Sequence, residues 1–274
     1  MNIAIYRMYY GEDFIEKSVM SIIDDIDKIF IMFTDRPWNG ADRVFYKKDT
    51  ILIPCPIDNG AKIAKDLEER FPDKVKAIYH YHPVPNNEFT IMYENLKLRK
   101  LVDDARVVML MEPDMVWPEG KLKPILNYLS DREFTPMCTY QIEFWKSDEF
   151  MIPIRNRPGA IFHNVSGGKP LPVTGKNGST RFIIYIDEYV HNYGFCMSEY
   201  NMKWKVLIGL TVSRSIGDSM PNEDWYEKKW LTWNFHTNNR DLEISKNYEY
   251  FIPYALKHDP VYYTFPGKYI HIPR

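Results

Sequence analysis

The chain has 274 residues, 45% of them hydrophobic and 26% charged. That is an ordinary globular composition, and it excludes a disordered tail, a collagen-like chain and a disulfide mini-scaffold. The 35 Lys and Arg against 37 Asp and Glu leave a formal charge of −2, so no global basic field draws the chain to nucleic acid.

Residues 2–8 (NIAIYRM) read as a first buried strand, and Phe14, Ile15, Val19, Ile22 and Ile23 give helical spacing over 11–23. Residues 28–33 (KIFIMF) make a second strand, stopped by Thr34-Asp35-Arg36-Pro37. A charged amphipathic helix is predicted over 60–70, a third strand over 74–80, a long helix over 88–105 and a fourth strand over 106–111. These strands are continuous apolar runs that alternate with helices, the pattern of parallel strands covered on both faces. Ligands of such sheets sit beyond the carboxyl ends of the strands, where Tyr9, Tyr10, Glu12, Asp35, Arg36, His80, His82, Glu112 and Asp114 fall.

After residue 120 the rhythm changes. A helix is expected over 121–130, a strand over 135–146, and loops over 150–180, which are rich in Pro, Gly, Asn and Ser. A strand over 181–190 ends at His191, helices cover 198–210 and 221–234, and the tail from 241 runs extended over the surface. The simplest organisation is one domain over 1–274, with a first half at 1–120, a second at 121–240 and a tail at 241–274. Cys55, Cys138 and Cys196 are odd in number and lack CxxC spacing, which points to a reducing compartment and away from zinc or disulfides. No signal peptide precedes the first apolar run and no stretch approaches the ~20 apolar residues of a membrane span, so a cytoplasmic location is expected.

The strongest local signal is Glu112-Pro113-Asp114 at the mouth of the fourth strand. Two carboxylates there are costly unless a cation or solvent compensates them. Mg²⁺ or Mn²⁺ takes oxygen ligands, commonly one or two carboxylates plus substrate phosphates. The same residues also make an acidic turn around Pro113 that needs no metal, and spacing alone does not separate the two. From Phe150 to Ile186 there is no acid, while Arg155, Arg157, Lys169, Lys176 and Arg181 are present. That stretch suits a phosphate and equally a solvated loop.

In element order and in this acidic motif the chain resembles the GT-A glycosyltransferases, in their family-two-like branch. The resemblance covers residues 1–120, with Glu112 in place of the first Asp of the DxD motif. It implies a GT-A α/β fold, a mixed and mainly parallel sheet flanked by helices. The implied activity is sugar transfer from a nucleoside-diphosphate sugar to an acceptor hydroxyl. Asp114 with Glu112 would then hold a divalent Mn²⁺ or Mg²⁺ against the diphosphate, and Asp35, Tyr6, Tyr9 and Glu12 would border the nucleoside. His191-Asn-Tyr-Gly-Phe195 and Lys203 or Lys205 resemble a second patch of the family. There His191 would complete the metal shell, although a histidine at a strand end with a backbone partner reads the same way.

An inverting enzyme needs a carboxylate to take the acceptor proton. Asp187 or Glu188 fits that role, and strand alternation sends them to opposite faces. Glu223 and Asp224 are the other pair, explained equally by a helix start, and Trp225 beside them is either core or a stacking platform on the acceptor side. The acceptor is a glycan, lipid or protein, or a hydroxylated DNA base, which the net charge does not favour. The rival readings are a nucleotidyltransferase and a non-catalytic glycan- or nucleic-acid-binding module. Against the first, the loop Met8-Tyr-Tyr-Gly-Glu-Asp13 has one glycine and no base.

Overall fold

The computed structural model describes residues 1–37, 43–46, 49–52, 58–81, 88–152, 158–171, 184–215, 226–237, 256–257 and 269–270. It opens with β1 (Asn2–Met8), α1 (Ile15–Met20), β2 (Lys28–Phe33) and a hairpin of β3 (Arg43–Tyr46) and β4 (Asp49–Leu52). Then come α2 (Gly60–Arg70), β5 (Val75–Tyr79), α3 (Glu88–Leu98), β6 (Val107–Met111) and the short β7 (Met115–Val116). The second part has α4 (Leu122–Ser130), β8 (Met137–Trp145), β9 (Ser147–Met151), β10 (Pro158–Asn164), β11 (Ile184–Phe195) and α5 (Glu199–Ser215). A π-helical turn at Tyr226–Leu231, β12 (Leu256–Lys257) and β13 (Tyr269–Ile270) complete it.

The fold is α/β, a mixed sheet with flanking helices. β5, β2, β1 and β6 lie side by side and parallel. Alternation along β1 sends Ala4, Tyr6 and Met8 to one face and Ile3 and Ile5 to the other. The first face packs on Ile15 and Val19 of α1, Leu67 of α2, and Leu122, Ile125 and Leu129 of α4. The second packs on Met92, Tyr93 and Leu96 of α3. Both faces are covered, which is why these strands read as unbroken apolar runs. Each fully buried Ile or Leu there contributes roughly 1.5–3 kcal/mol.

Beyond β6 the sheet is mixed. β10 inserts antiparallel between β6 and β8, and β11 runs parallel to β8 along its other edge. β11 pairs in turn with β7, the strand that follows β6. In a flat sheet β7 would stand four strand spacings from β6, roughly 19 Å away. The link from Met111 to Met115 reaches at most roughly 14 Å. The sheet therefore curls into a half-barrel, where the sequence pattern led to an open and mainly parallel one.

Other elements also differ from expectation. The loop-like 150–180 region contains β10, whose opening Pro158-Gly159 disguises a strand. A Cβ on Gly159 would lie 2.5 Å from the Tyr140 carbonyl oxygen, so the close approach at this register shift requires glycine. β11 continues through His191 to Phe195, which places that histidine inside a strand. The helix over 88–105 ends at Leu98, and Lys100 just beyond it takes a left-handed φ of 56°. α1 spans only Ile15–Met20 of the expected 11–23. The late helix is represented by the π-helical turn. In the tail, β12 pairs with β9 and β13 with β11; the rest of it, with Cys55, lies outside the described residues. Burial pushes the Cys138 thiol up to about 12, so it is an inert core group. Among the described residues no helix is long and apolar enough to cross a membrane.

His163 on β10 is 4% exposed, and its Nδ1 is buried without a partner. Burial lowers its pKa to about 4 from the usual 6.5. The unfolded chain thus takes up this proton first as pH falls. Stability from the neutral ring is complete above pH 6.5 and is lost as pH falls through about 4. His163→Leu is expected to shrink the difference in unfolding free energy between pH 7 and pH 4 by about 3 kcal/mol in urea titrations. An unchanged pH dependence would refute this.

Candidate functional site

Glu112-Pro113-Asp114 is the link between β6 and β7, at the mouth of the curled sheet. Met115 N donates to the Glu112 carbonyl at 3.1 Å, and Tyr193 N on β11 donates to the Asp114 carbonyl at 2.8 Å. The two carboxylates then take different partners. The Arg7 guanidinium on β1 donates to Glu112 and lies 3.7 Å from Glu88. The Lys205 Nζ on α5 donates to Asp114 Oδ2 at 2.8 Å and to the Gly194 carbonyl at 3.1 Å. Burial alone would lower both basic pKa values. For Lys205 the charge and hydrogen bond of Asp114, with Glu112 and Glu143 nearby, reverse that and hold it above its usual value. For Arg7, Glu112 and Glu88 do the same.

α5 is fixed from its amino end. Asp13 Oδ2 accepts from Ser198 N at 2.9 Å, from Ser198 Oγ at 3.1 Å and from Asn201 Nδ2 at 2.8 Å. A carboxylate there also complements the helix dipole. Asn201 and Lys205 are i, i+4 and share a face, so the bond that seats Asn201 also directs Lys205 toward Asp114. Asp58 ties the β1–α1 loop to this helix. Its Oδ2 accepts from Gly11 N at 2.7 Å, Glu12 N at 2.6 Å and Asn201 Nδ2 at 3.3 Å, and Oδ1 accepts from Gly60 N at 2.9 Å. Burial raises the Asp58 pKa, and the three backbone N–H bonds work against that rise.

Asp114 is 3% exposed and Asn201 2%, and both line one crevice with Gly11, Asp13 and Pro113. Asp114 Oδ1 and Asn201 Oδ1 are buried with no hydrogen-bond partner. The Asn201 amide is oriented by the two carboxylates that accept from its nitrogen, which leaves its oxygen as a free acceptor. The carboxylates of Glu88, Glu112, Asp114 and Glu143 surround Arg7 and Lys205. An unsatisfied buried carboxylate oxygen such as Asp114 Oδ1 is the kind of ligand a hard divalent cation takes. Among the described residues no group of three or more His, Cys, Asp or Glu is placed to hold one ion.

The other sequence candidates are spread more widely. Tyr6 is fully buried, its hydroxyl paired with Ser18 Oγ at 3.0 Å beneath α1, and burial raises its pKa. The Tyr9 ring packs 4.5 Å from that of Tyr10. Glu12 Oε2 accepts from Asn59 N at 2.9 Å. Asp35 accepts from the Tyr79 hydroxyl at 2.8 Å, where β2 and β5 end. The His191 ring lies against Phe144 at 5.1 Å and Tyr189 at 5.7 Å. Glu188 accepts from Lys121 Nζ at 3.0 Å. A register shift between Tyr185 and Tyr189 falls at Asp187 and Glu188, so simple alternation does not apply to them. Lys169 of the basic stretch is paired with Glu133. Glu223, Asp224, Trp225, His82, Arg155, Arg157, Lys176 and Arg181 lie outside the described residues.

Sequence reasoning missed Arg7, Asp13, Asp58 and Asn201. Arg7 had a signal of its own, a charge inside an otherwise apolar buried strand. The other three are ordinary polar residues whose roles appear only when distant segments meet.

No protein-family model matches the chain, and no curated protein matches it. Solved structures that resemble it weakly include S. aureus TarS 1–349, with 10% identity, a TM-score of 0.41 and coverage of 82% of this chain and 68% of that one. S. aureus TarS also resembles it, with 11% identity, a TM-score of 0.41 and coverage of 89% of this chain and 46% of that one.

A Cβ on Gly194 would stand 2.9 Å from Lys205 Nζ and 3.0 Å from Asp114 Oδ2, so the ion pair closes over a glycine. Lys205→Met strands the buried Asp114 charge. It should destabilise by roughly 2 kcal/mol, less than the 3–5 kcal/mol of a fully buried pair, because Lys205 is 39% exposed. Lys205→Met combined with Asp114→Asn should recover part of that loss in chemical denaturation. Additive losses would show that the two residues do not interact.

Proposed function

We propose that the chain is a glycosyltransferase, built as one domain, that moves a sugar from a nucleoside-diphosphate donor to an acceptor hydroxyl. The observation that carries this reading is the buried Asp114, with its unpartnered Oδ1, held beyond the carboxyl end of β6 between two cationic side chains. Such a place suits the diphosphate of a donor.

In this reading Asp114 and Glu112 hold a divalent cation, Mn²⁺ or Mg²⁺, and the donor's own oxygens complete its shell. When bound, that ion neutralises charge on the departing diphosphate. Lys205 and Arg7 orient the two carboxylates through the bonds they already make. Asp35 and Tyr79 at the ends of β2 and β5, with the Tyr9–Glu12 loop, border the nucleoside. Asp187 or Glu188, the latter accepting from Lys121 Nζ at 3.0 Å, takes the acceptor proton. His191 stays on the sheet side of the motif, opposite Val116.

The test is the melting temperature with UDP, GDP and other nucleoside diphosphates, each with and without Mn²⁺. A ligand at a hundredfold excess over its Kd stabilises by about 2.7 kcal/mol, several degrees for a chain of this size. A metal-dependent shift is expected from one nucleotide, and Asp114→Asn should lose the shift and reduce donor hydrolysis about a hundredfold or more. No shift from any nucleotide, or full activity of Asp114→Asn or in EDTA, rejects the assignment. Pyrophosphate release from a nucleoside triphosphate would instead identify a nucleotidyltransferase.

A further inference from the structure

Asn201 stands in the first turn of α5, one helical turn before Lys205. It is 2% exposed, so its carboxamide sits in the interior at a cost that polar partners must offset. The nitrogen has its partners. Nδ2 donates to Asp13 Oδ2 at 2.8 Å and to Asp58 Oδ2 at 3.3 Å. Those two bonds fix which way the amide faces, because turning it over would set its oxygen against two carboxylate oxygens. Oδ1 therefore stays on the side away from them, and no hydrogen bond reaches it.

Asn201 lines one crevice with Asp114, Asp13 and Gly11. Asp114 is in the same condition there: Lys205 holds its Oδ2 at 2.8 Å, and its Oδ1 is buried without a partner. The backbone N–H groups of Gly11, Glu12 and Ser198 nearby are spent on Asp58 and Asp13. The two side chains thus present a carboxylate oxygen and an amide oxygen. A water could donate to both, but its own oxygen would then call for an N–H, and those three are engaged. A hard cation needs only oxygens, and carboxylate and asparagine oxygens are among its usual protein ligands. The carboxylates that accept from Nδ2 also polarise the amide and build negative charge on Oδ1. Groups hydrogen-bonded to a metal's ligands commonly orient and strengthen them in this way.

His191, the residue expected to complete a metal shell, does not line this crevice, and its ring packs on Phe144 and Tyr189. We propose that Asn201 Oδ1 joins Asp114 Oδ1 in holding the divalent cation, in the role expected of His191. This rests on the reading that a cation binds at Asp114, and it names the further residue of this chain that ligates it. Asp13 and Asp58 are then positioning residues that act through the Asn201 amide.

The test uses Mn²⁺ and the full chain, alone and with UDP or GDP. Electron paramagnetic resonance follows the free ion, and electron–nuclear double resonance reads the bound ion in chain labelled with ¹³C at the asparagine carboxamides. A ¹³C coupling from a directly ligated amide is expected in the wild-type chain, a readout that depends on no variant folding. Asn201→Ala should abolish that coupling and weaken Mn²⁺ binding about tenfold or more, with near-ultraviolet circular dichroism in EDTA checking that its packing is kept. Bound Mn²⁺ without any ¹³C coupling, or a coupling that persists in Asn201→Ala, overturns the role of Asn201. If Asp114→Asn abolishes binding in that case, the assignment of Asp114 stands alone. Wild-type chain that binds no Mn²⁺ under any of these conditions overturns both.

Discussion

The ion pair between Asp114 and Lys205 joins the two parts of this molecule. Asp114 belongs to the link between β6 and β7, and Lys205 to a helix that follows the last long strand. A charge as buried as Asp114 is tolerated only with a partner, so α5 must come to the mouth of the sheet. Pairing of β7 with β11 brings it there, because α5 begins four residues after β11 ends. The curl of the sheet and the ion pair are two aspects of one closure.

That closure makes the site unusually well braced. The backbone of the acidic motif is held by Tyr193, its carboxylates by Arg7 and Lys205, and Lys205 in turn by the seating of Asn201 on Asp13 and Asp58. Four segments far apart in sequence, around residues 7–13, 58, 112–114 and 193–205, meet there. The bracing leaves two buried acceptor oxygens, Asp114 Oδ1 and Asn201 Oδ1, without partners in one crevice, whereas most buried polar groups of a core are paired.

The sequence by itself determined the parallel layer. The apolar runs at 2–8, 28–33 and 106–111 admit no other burial than helices on both faces, and the acidic motif follows the last of them in plain view. Tertiary structure decided the rest. β10 is a strand because β6 and β8 satisfy its backbone on both edges, and no local propensity announces that. His191 lies within β11 because pairing with β7 and β8 extends the strand past it. Which cation meets which carboxylate depends on a curl set by the pairing of β7 with β11. Periodicity records which face of an element is buried, whereas partners across the sheet are fixed only when the chain closes on itself.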